Sequence, residues 1–158
     1  MALRMAKNPP CGLYRTTRPL ENLPVGRLVM FHDHGDPGPG VYLPRAWTLN
    51  RAEWHAQGIT APGPEWSATL EPLAAEGLYS VRETFFCCDK QCTQFPKGQL
   101  VQLGYDGEAN AILFLPEWGA KGMGFPERGT RLDRDRVSKL ERLLVAQNAD
   151  APKDAWMH

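Results

Sequence analysis

Nowhere does this chain approach the roughly 20 consecutive apolar residues that a membrane-spanning helix requires. Its first residues, Met1-Ala-Leu-Arg-Met-Ala-Lys, lack the apolar segment and cleavage site of a secretory leader. No membrane partner is expected. Neither sign of charge is in excess, with 18 Lys and Arg against 18 Asp and Glu. Binders of nucleic acid or anionic lipid normally carry a basic surplus, so those partners lose support. The four cysteines, at 11, 87, 88 and 92, make a poor disulfide framework, because three crowd into six positions and adjacent thiols bridge only with strain. Reduced thiols in a cytoplasm are the expectation. Catalytic signatures are missing too. No serine stands in a G-x-S-x-G elbow, and the cysteines are spaced C-C-x-x-x-C rather than C-x-x-C. Gly119-Ala-Lys-Gly-Met-Gly124 lacks the Lys-Ser/Thr ending of a phosphate loop.

What the chain has is punctuation. Fifteen glycines and 14 prolines break its 158 residues into short elements, while 42% hydrophobic residues suffice for a core. Many short strands are expected rather than long helices. The segment 23–44 aligns with 95–116 at a constant offset of 72, with Pro24, Gly26, Leu28, Val29, Gly35, Leu43 and Pro44 identical to their counterparts. Upstream, Gly12-Leu-Tyr-Arg15 resembles Gly77-Leu-Tyr-Ser80 at an offset of 65, so the second copy carries seven extra residues between its first two strands. Gly26 and Gly98 suit turns entering a strand, and Pro44 and Pro116 suit strand ends. Asp106-Gly107 is a hairpin dipeptide, and Asp33-His-Gly-Asp-Pro-Gly-Pro-Gly40 is a longer turn.

Each copy reads as three strands, at about 13–16, 26–32 and 40–43, then about 78–86, 98–105 and 111–115. The expected fold is mainly β: a small six-stranded barrel or sandwich built from a duplicated three-strand motif within one domain, 12–148. Two independent SH3-like barrels of about 35 residues would each be too small for a self-sufficient core. Repeat one runs 12–44 and repeat two 77–116, with a linker at 45–76 and flexible termini at 1–11 and 149–158. Asn50 with Glu53 resembles a capping box and Gly58 a helix stop, which predicts a short helix over 51–57. Trp47, Trp54 and Trp66 are expected as lids over the barrel ends. Leu132, Val137, Leu140 and Leu144 recur at near-helical spacing, which predicts a C-terminal α-helix over 132–147 whose other face carries mixed charge.

One polar cluster suggests chemistry. His32 and His34 alternate on an extended strand and so share a face. The extra residues of the second copy read Phe85-Phe-Cys-Cys-Asp-Lys-Gln-Cys92, and Cys88 and Cys92 have ligand-like spacing. The expected metal ligands are His32, His34, Cys88 and Cys92, with Cys87 as an alternative. Thiolates with imidazoles favour zinc over magnesium or calcium. The expected function is a small β-barrel interaction or adaptor module that binds another protein and is stabilised by structural zinc. One alternative is a metal- or thiol-dependent enzyme at the same residues. Another is a nucleic-acid-binding barrel that sets Arg128, Arg131, Arg134 and Arg136 on phosphates.

Overall fold

The computed structural model describes residues 5–34 and 38–148. Sixteen short strands run in chain order: β1 (Gly12–Arg15), β2 (Leu28–His32), β3 (Gly40–Tyr42), β4 (Pro44–Thr48), β5 (Arg51–Trp54), β6 (Ile59–Thr60), β7 (Glu71–Pro72), β8 (Gly77–Val81), β9 (Phe85–Phe86), β10 (Gln94–Phe95), β11 (Leu100–Tyr105), β12 (Ala111–Phe114), β13 (Glu117–Gly119), β14 (Gly122–Gly124), β15 (Thr130–Arg131) and β16 (Leu140–Arg142). One helical turn, α1 (Pro64–Ser67), precedes β7, and a 3₁₀ turn, Arg134–Lys139, precedes β16. The protein is mainly β. None of its described helices is long and apolar enough to cross a membrane.

The strands form two five-stranded antiparallel sheets, ordered β6-β3-β2-β1-β7 and β15-β12-β11-β8-β16, and three separate hairpins. This differs from one six-stranded barrel, because neither sheet closes on itself. The three strands expected of each copy occupy the centre of each sheet. Their registers correspond: Leu13↔Met30 becomes Leu78↔Gln102 at offsets of 65 and 72, and Met30↔Tyr42 becomes Gln102↔Phe114. The flanking strands match as well. Val41↔Ile59 corresponds to Leu113↔Thr130, and Tyr14↔Pro72 to Tyr79↔Arg142.

Local details repeat with the registers. Gly26 and Gly98 have φ of 84° and 88° and donate to the carbonyls of Thr16 and Val81. Only glycine adopts that conformation without strain. Tyr14 and Tyr79 each donate their hydroxyl to the carbonyl four residues earlier, at Pro10 and Ala75. The Leu20↔Leu23 bridge in the first half corresponds to Phe85↔Phe95 in the second, and the seven extra residues, cysteines included, lie inside that loop.

Two helix expectations are corrected. Residues 51–54 are strand, because Leu49 and Asn50 both take positive φ, 50° and 65°, as a two-residue hairpin turn requires. Glu53 accepts from Thr48 and Arg45 across that hairpin instead of capping a helix. Residues 132–147 form a two-residue connection, the 3₁₀ turn, β16 and an irregular stretch. Leu132 and Leu140 are buried, yet Leu144 is 98% exposed, so no single helical stripe exists. The open edge of β8 offers β16 three paired residues, and that pairing overrides helical propensity. The segment 119–129 contributes most of β13–β14.

Each sheet has its own core. Tyr14, Val29, Phe31, Val41, Trp66 and Leu70 pack in the first; Tyr79, Val101, Leu103, Leu113, Leu132 and Leu140 pack in the second. Leu28 and Leu100 differ, the former fully buried and the latter half-buried. Leu28 belongs to the second core although it lies on β2, and its N–H donates to the carbonyl of Gly107 at 3.0 Å. It sits on the seam between the halves. So does Arg15, whose guanidinium donates to the carbonyl of Ala109.

The β4–β5 hairpin completes the seam by reaching over the second sheet. Trp47 Nε1 donates to the Tyr105 carbonyl at 2.8 Å, the Asn50 amide to Gln102 and to the Pro126 carbonyl, and the Ala52 N–H to Glu76 Oε2 at 3.0 Å. The Asn50 carbonyl crosses Gly104 so closely that a Cβ there would meet it at 2.8 Å. Trp66 is a core residue, its indole N–H on the carbonyls of Arg18 and Pro19, so the tryptophans do not act as a common set of lids.

Candidate metal centre

Antiparallel pairing builds the site. Gly12 lies opposite Phe31 in the β1–β2 register, so the preceding residue, Cys11, lies opposite His32. Directly opposed side chains share a face, and His34, two residues past His32, extends that face beyond the strand end. Cys11, His32 and His34 each bring one ligand atom within 4.8 Å of the others. His32 Nε2 and His34 Nε2 are 3.1 Å apart, and Cys11 Sγ lies 3.7 Å from His34 Nδ1. His34 thus turns Nε2 toward His32 and Nδ1 toward Cys11, and a ring offers an ion only one of its nitrogens, so these two separations do not belong to a single coordination sphere. The Asp33 N–H donates to Cys11 Sγ at 3.2 Å. Cys11 and His32 are half-buried and His34 is exposed, so the donors face solvent on one side.

Cys88 and Cys92 are not in this donor group. They lie in the β9–β10 loop of the second half, with Cys88 Sγ 3.9 Å from Cys92 Sγ and 3.5 Å from Cys87 Sγ. The expected set of His32, His34, Cys88 and Cys92 therefore divides: the histidines meet Cys11, and the other thiols meet each other. The Cys92 backbone N–H, followed by the Cys87 thiol, holds the Cys88 thiol below its ordinary value, while hydrogen bonding to Cys88 pushes Cys92 up. All four cysteines are free thiols. Cys11 was missed because it precedes the repeat and carries no spacing motif. Extending the Gly12-Leu-Tyr-Arg15 pairing backward by one residue would have found it.

The arginines considered for phosphate contact are partly engaged. Arg134 pairs with Glu71, and Arg136 with Asp89 and Asp135. Buried Glu76, at the position in the second half that corresponds to Cys11, is the other unusual ionisable group. Burial pushes its carboxyl up to about 7, against the opposing pull of the Ala52 N–H and Arg51.

No family model matches the chain, and neither the curated proteins nor the solved structures give a match to it.

Proposed function

We propose that this chain is a protein-interaction module of two SH3-like units, 12–72 and 77–142, related as an internal repeat and acting in the cytoplasm. The repeat reading is supported by the shared strand order and registers, which extend to five strands per unit. Units of that length suit a self-sufficient core better than three strands would.

The observation that carries the binding role is the β13–β14 hairpin. All six of its strand residues are exposed, and Trp118 and Met123 oppose each other with exposures of 80% and 39%. A large ring held out on a paired hairpin is the kind of anchor that dominates interfaces. The partner is another protein. A photo-cross-linking amino acid in place of Trp118 should give a discrete adduct, identified by mass spectrometry. The same substitution at exposed Glu127 should not. Identical adducts from both positions, or none from 118, refute the reading.

A second reading has its own observation, the Cys11–His32–His34 group. The ion assigned to it is zinc, in a structural role at the end of β1 and β2, because thiolate with imidazole suits that ion and the three residues bring one ligand atom each within 4.8 Å of the others. Protein purified without chelator should carry near-stoichiometric zinc. Cobalt substitution should give thiolate charge-transfer absorption that Cys11→Ser abolishes and Cys88→Ser leaves intact. Metal-free protein with no cobalt band removes the assignment, whereas a band lost only with Cys88→Ser returns it to the other thiols.

A further inference from the structure

We propose that the β9–β10 loop is a hydroperoxide-reactive dithiol site, in which Cys88 takes up the oxygen and Cys92 closes a disulfide onto it. The site uses neither Trp118 nor Cys11, so it stands apart from the interaction and metal readings.

The loop is an addition that the sheet does not need. In the first half the Leu20↔Leu23 bridge encloses only Glu21 and Asn22, whereas the corresponding Phe85↔Phe95 pair encloses residues 86–94 and three of the four cysteines. Their C-C-x-x-x-C spacing matches no redox motif, yet the fold brings the thiols together. The Cys87 N–H donates to the Thr93 carbonyl at 2.9 Å, and the Gln91 N–H to the Cys88 carbonyl at 3.0 Å. Gln91 takes a φ of 56° and turns the chain back between Cys88 and Cys92. The three sulfurs then stand in file, Cys87 Sγ 3.5 Å from Cys88 Sγ and Cys88 Sγ 3.9 Å from Cys92 Sγ. The file runs from buried Cys87 through half-buried Cys88 to exposed Cys92.

That order assigns the roles. A thiolate, not a thiol, attacks an oxidant, and sensor cysteines are accessible and lie beside a second, resolving thiol. Cys88 occupies the middle of the file, where the Cys92 backbone N–H and the Cys87 thiol both bond to its sulfur and favour the ionised form. The neighbouring Asp89 carboxylate is held by Arg136, which offsets its charge. Cys87 is the nearer thiol, but adjacent residues bridge only with strain. It is also 3% exposed, with its N–H and carbonyl committed to Thr93 and Asp133. Cys92 is therefore the resolving thiol. A disulfide holds its sulfurs about 2.0 Å apart, so this pair closes by about 1.9 Å, which rotation of the exposed Cys92 side chain supplies.

The chemistry balances in two steps. The Cys88 thiolate attacks the terminal oxygen of a hydroperoxide; the O–O bond breaks, an S–O bond forms, and the departing alkoxide or hydroxide takes up a proton. The Cys92 sulfur then attacks the Cys88 sulfenic acid; the S–S bond forms, the S–O bond breaks, and the hydroxyl leaves as water with the Cys92 proton. The two thiols lose two electrons, and the hydroperoxide gains them.

The full chain, reduced, freed of reductant and kept with chelator, is titrated with hydrogen peroxide, and the remaining thiols are alkylated. Trypsin cleaves after Lys90, so the disulfide joins peptide 83–90 to peptide 91–97 with the loss of two hydrogens, which mass spectrometry reads. The linked pair should form while Cys11 is still alkylated, and dithiothreitol should release it, which separates a disulfide from sulfur oxidised further. Cys88→Ser should abolish the link. Cys92→Ser, at an exposed position, should keep its melting temperature and leave on Cys88 a sulfenic acid that dimedone labels. A link that persists in Cys88→Ser, Cys11 consumed before the link appears, or loop thiols left free after peroxide would each overturn the proposal.

Discussion

Replacing Glu76 with glutamine should remove most of the neutral-range pH dependence of stability. Glu76 is 7% exposed, and burial raises its carboxyl from an ordinary 4.5 to about 7. Below 4.5 the group is protonated in both the folded and unfolded chains, so it carries no desolvation cost. As pH rises toward 7 the unfolded chain releases this proton while the folded chain retains it, so stability falls. Above 7 the cost is constant, and 2.5 pH units at 1.36 kcal/mol each correspond to about 3 kcal/mol. Glutamine keeps a carbonyl oxygen for the Ala52 N–H but has no charge to desolvate. Urea unfolding of both proteins provides the assay. With a slope of about 2 kcal/mol/M, the midpoint advantage of Glu76→Gln should widen by roughly 1–2 M between about pH 4 and about pH 8. All other titrating groups are common to both proteins and cancel. A midpoint difference that stays constant with pH would refute the argument, and with it the buried position of Glu76 under the β4–β5 hairpin.

Gly104→Ala should cost about 1–3 kcal/mol, because its Cβ would meet backbone, the Asn50 carbonyl at 2.8 Å, which cannot swing aside. Thermal unfolding reads the loss, and an unchanged midpoint would mean that the hairpin does not sit on that strand. Leu140→Asp should cost roughly 3 kcal/mol or more, since it places a carboxylate in the second core, while Leu144→Asp should be silent at 98% exposure. Comparable losses at both positions would restore the amphipathic helix.

The central strands were legible because glycine and proline recur at fixed intervals around short, largely apolar runs, as at Leu28-Val-Met-Phe31 and Leu100-Val-Gln-Leu103. The outer strands were not. Ile59–Thr60 and Thr130–Arg131 are two residues long, too short for any periodicity, and their pairing is dictated by sheet edges far away in sequence. The interval from Leu132 to Leu140 fits helical spacing equally well whether the residues between are helix or a turn joining two edges. The β4–β5 turn was misread because Leu49-Asn50 lacks the glycine that usually marks such a hairpin, and Asn50 takes its positive φ instead. Of the candidate site, alternation gave His32 and His34, and the missing donor needed the register.

The seam also sets an order of events during synthesis. Chains emerge N-terminus first, and the first sheet has all its strands once Pro72 has appeared. At that moment Glu76, Gln102 and Gly104 have not been made, so the finished β4–β5 hairpin has nothing to rest on. Its indole and amide donors stay hydrated until the second sheet closes at Arg142. Two nascent chains held side by side on neighbouring ribosomes would each present a waiting hairpin to the other's newly closing sheet, which makes this the place where exchange between molecules would begin.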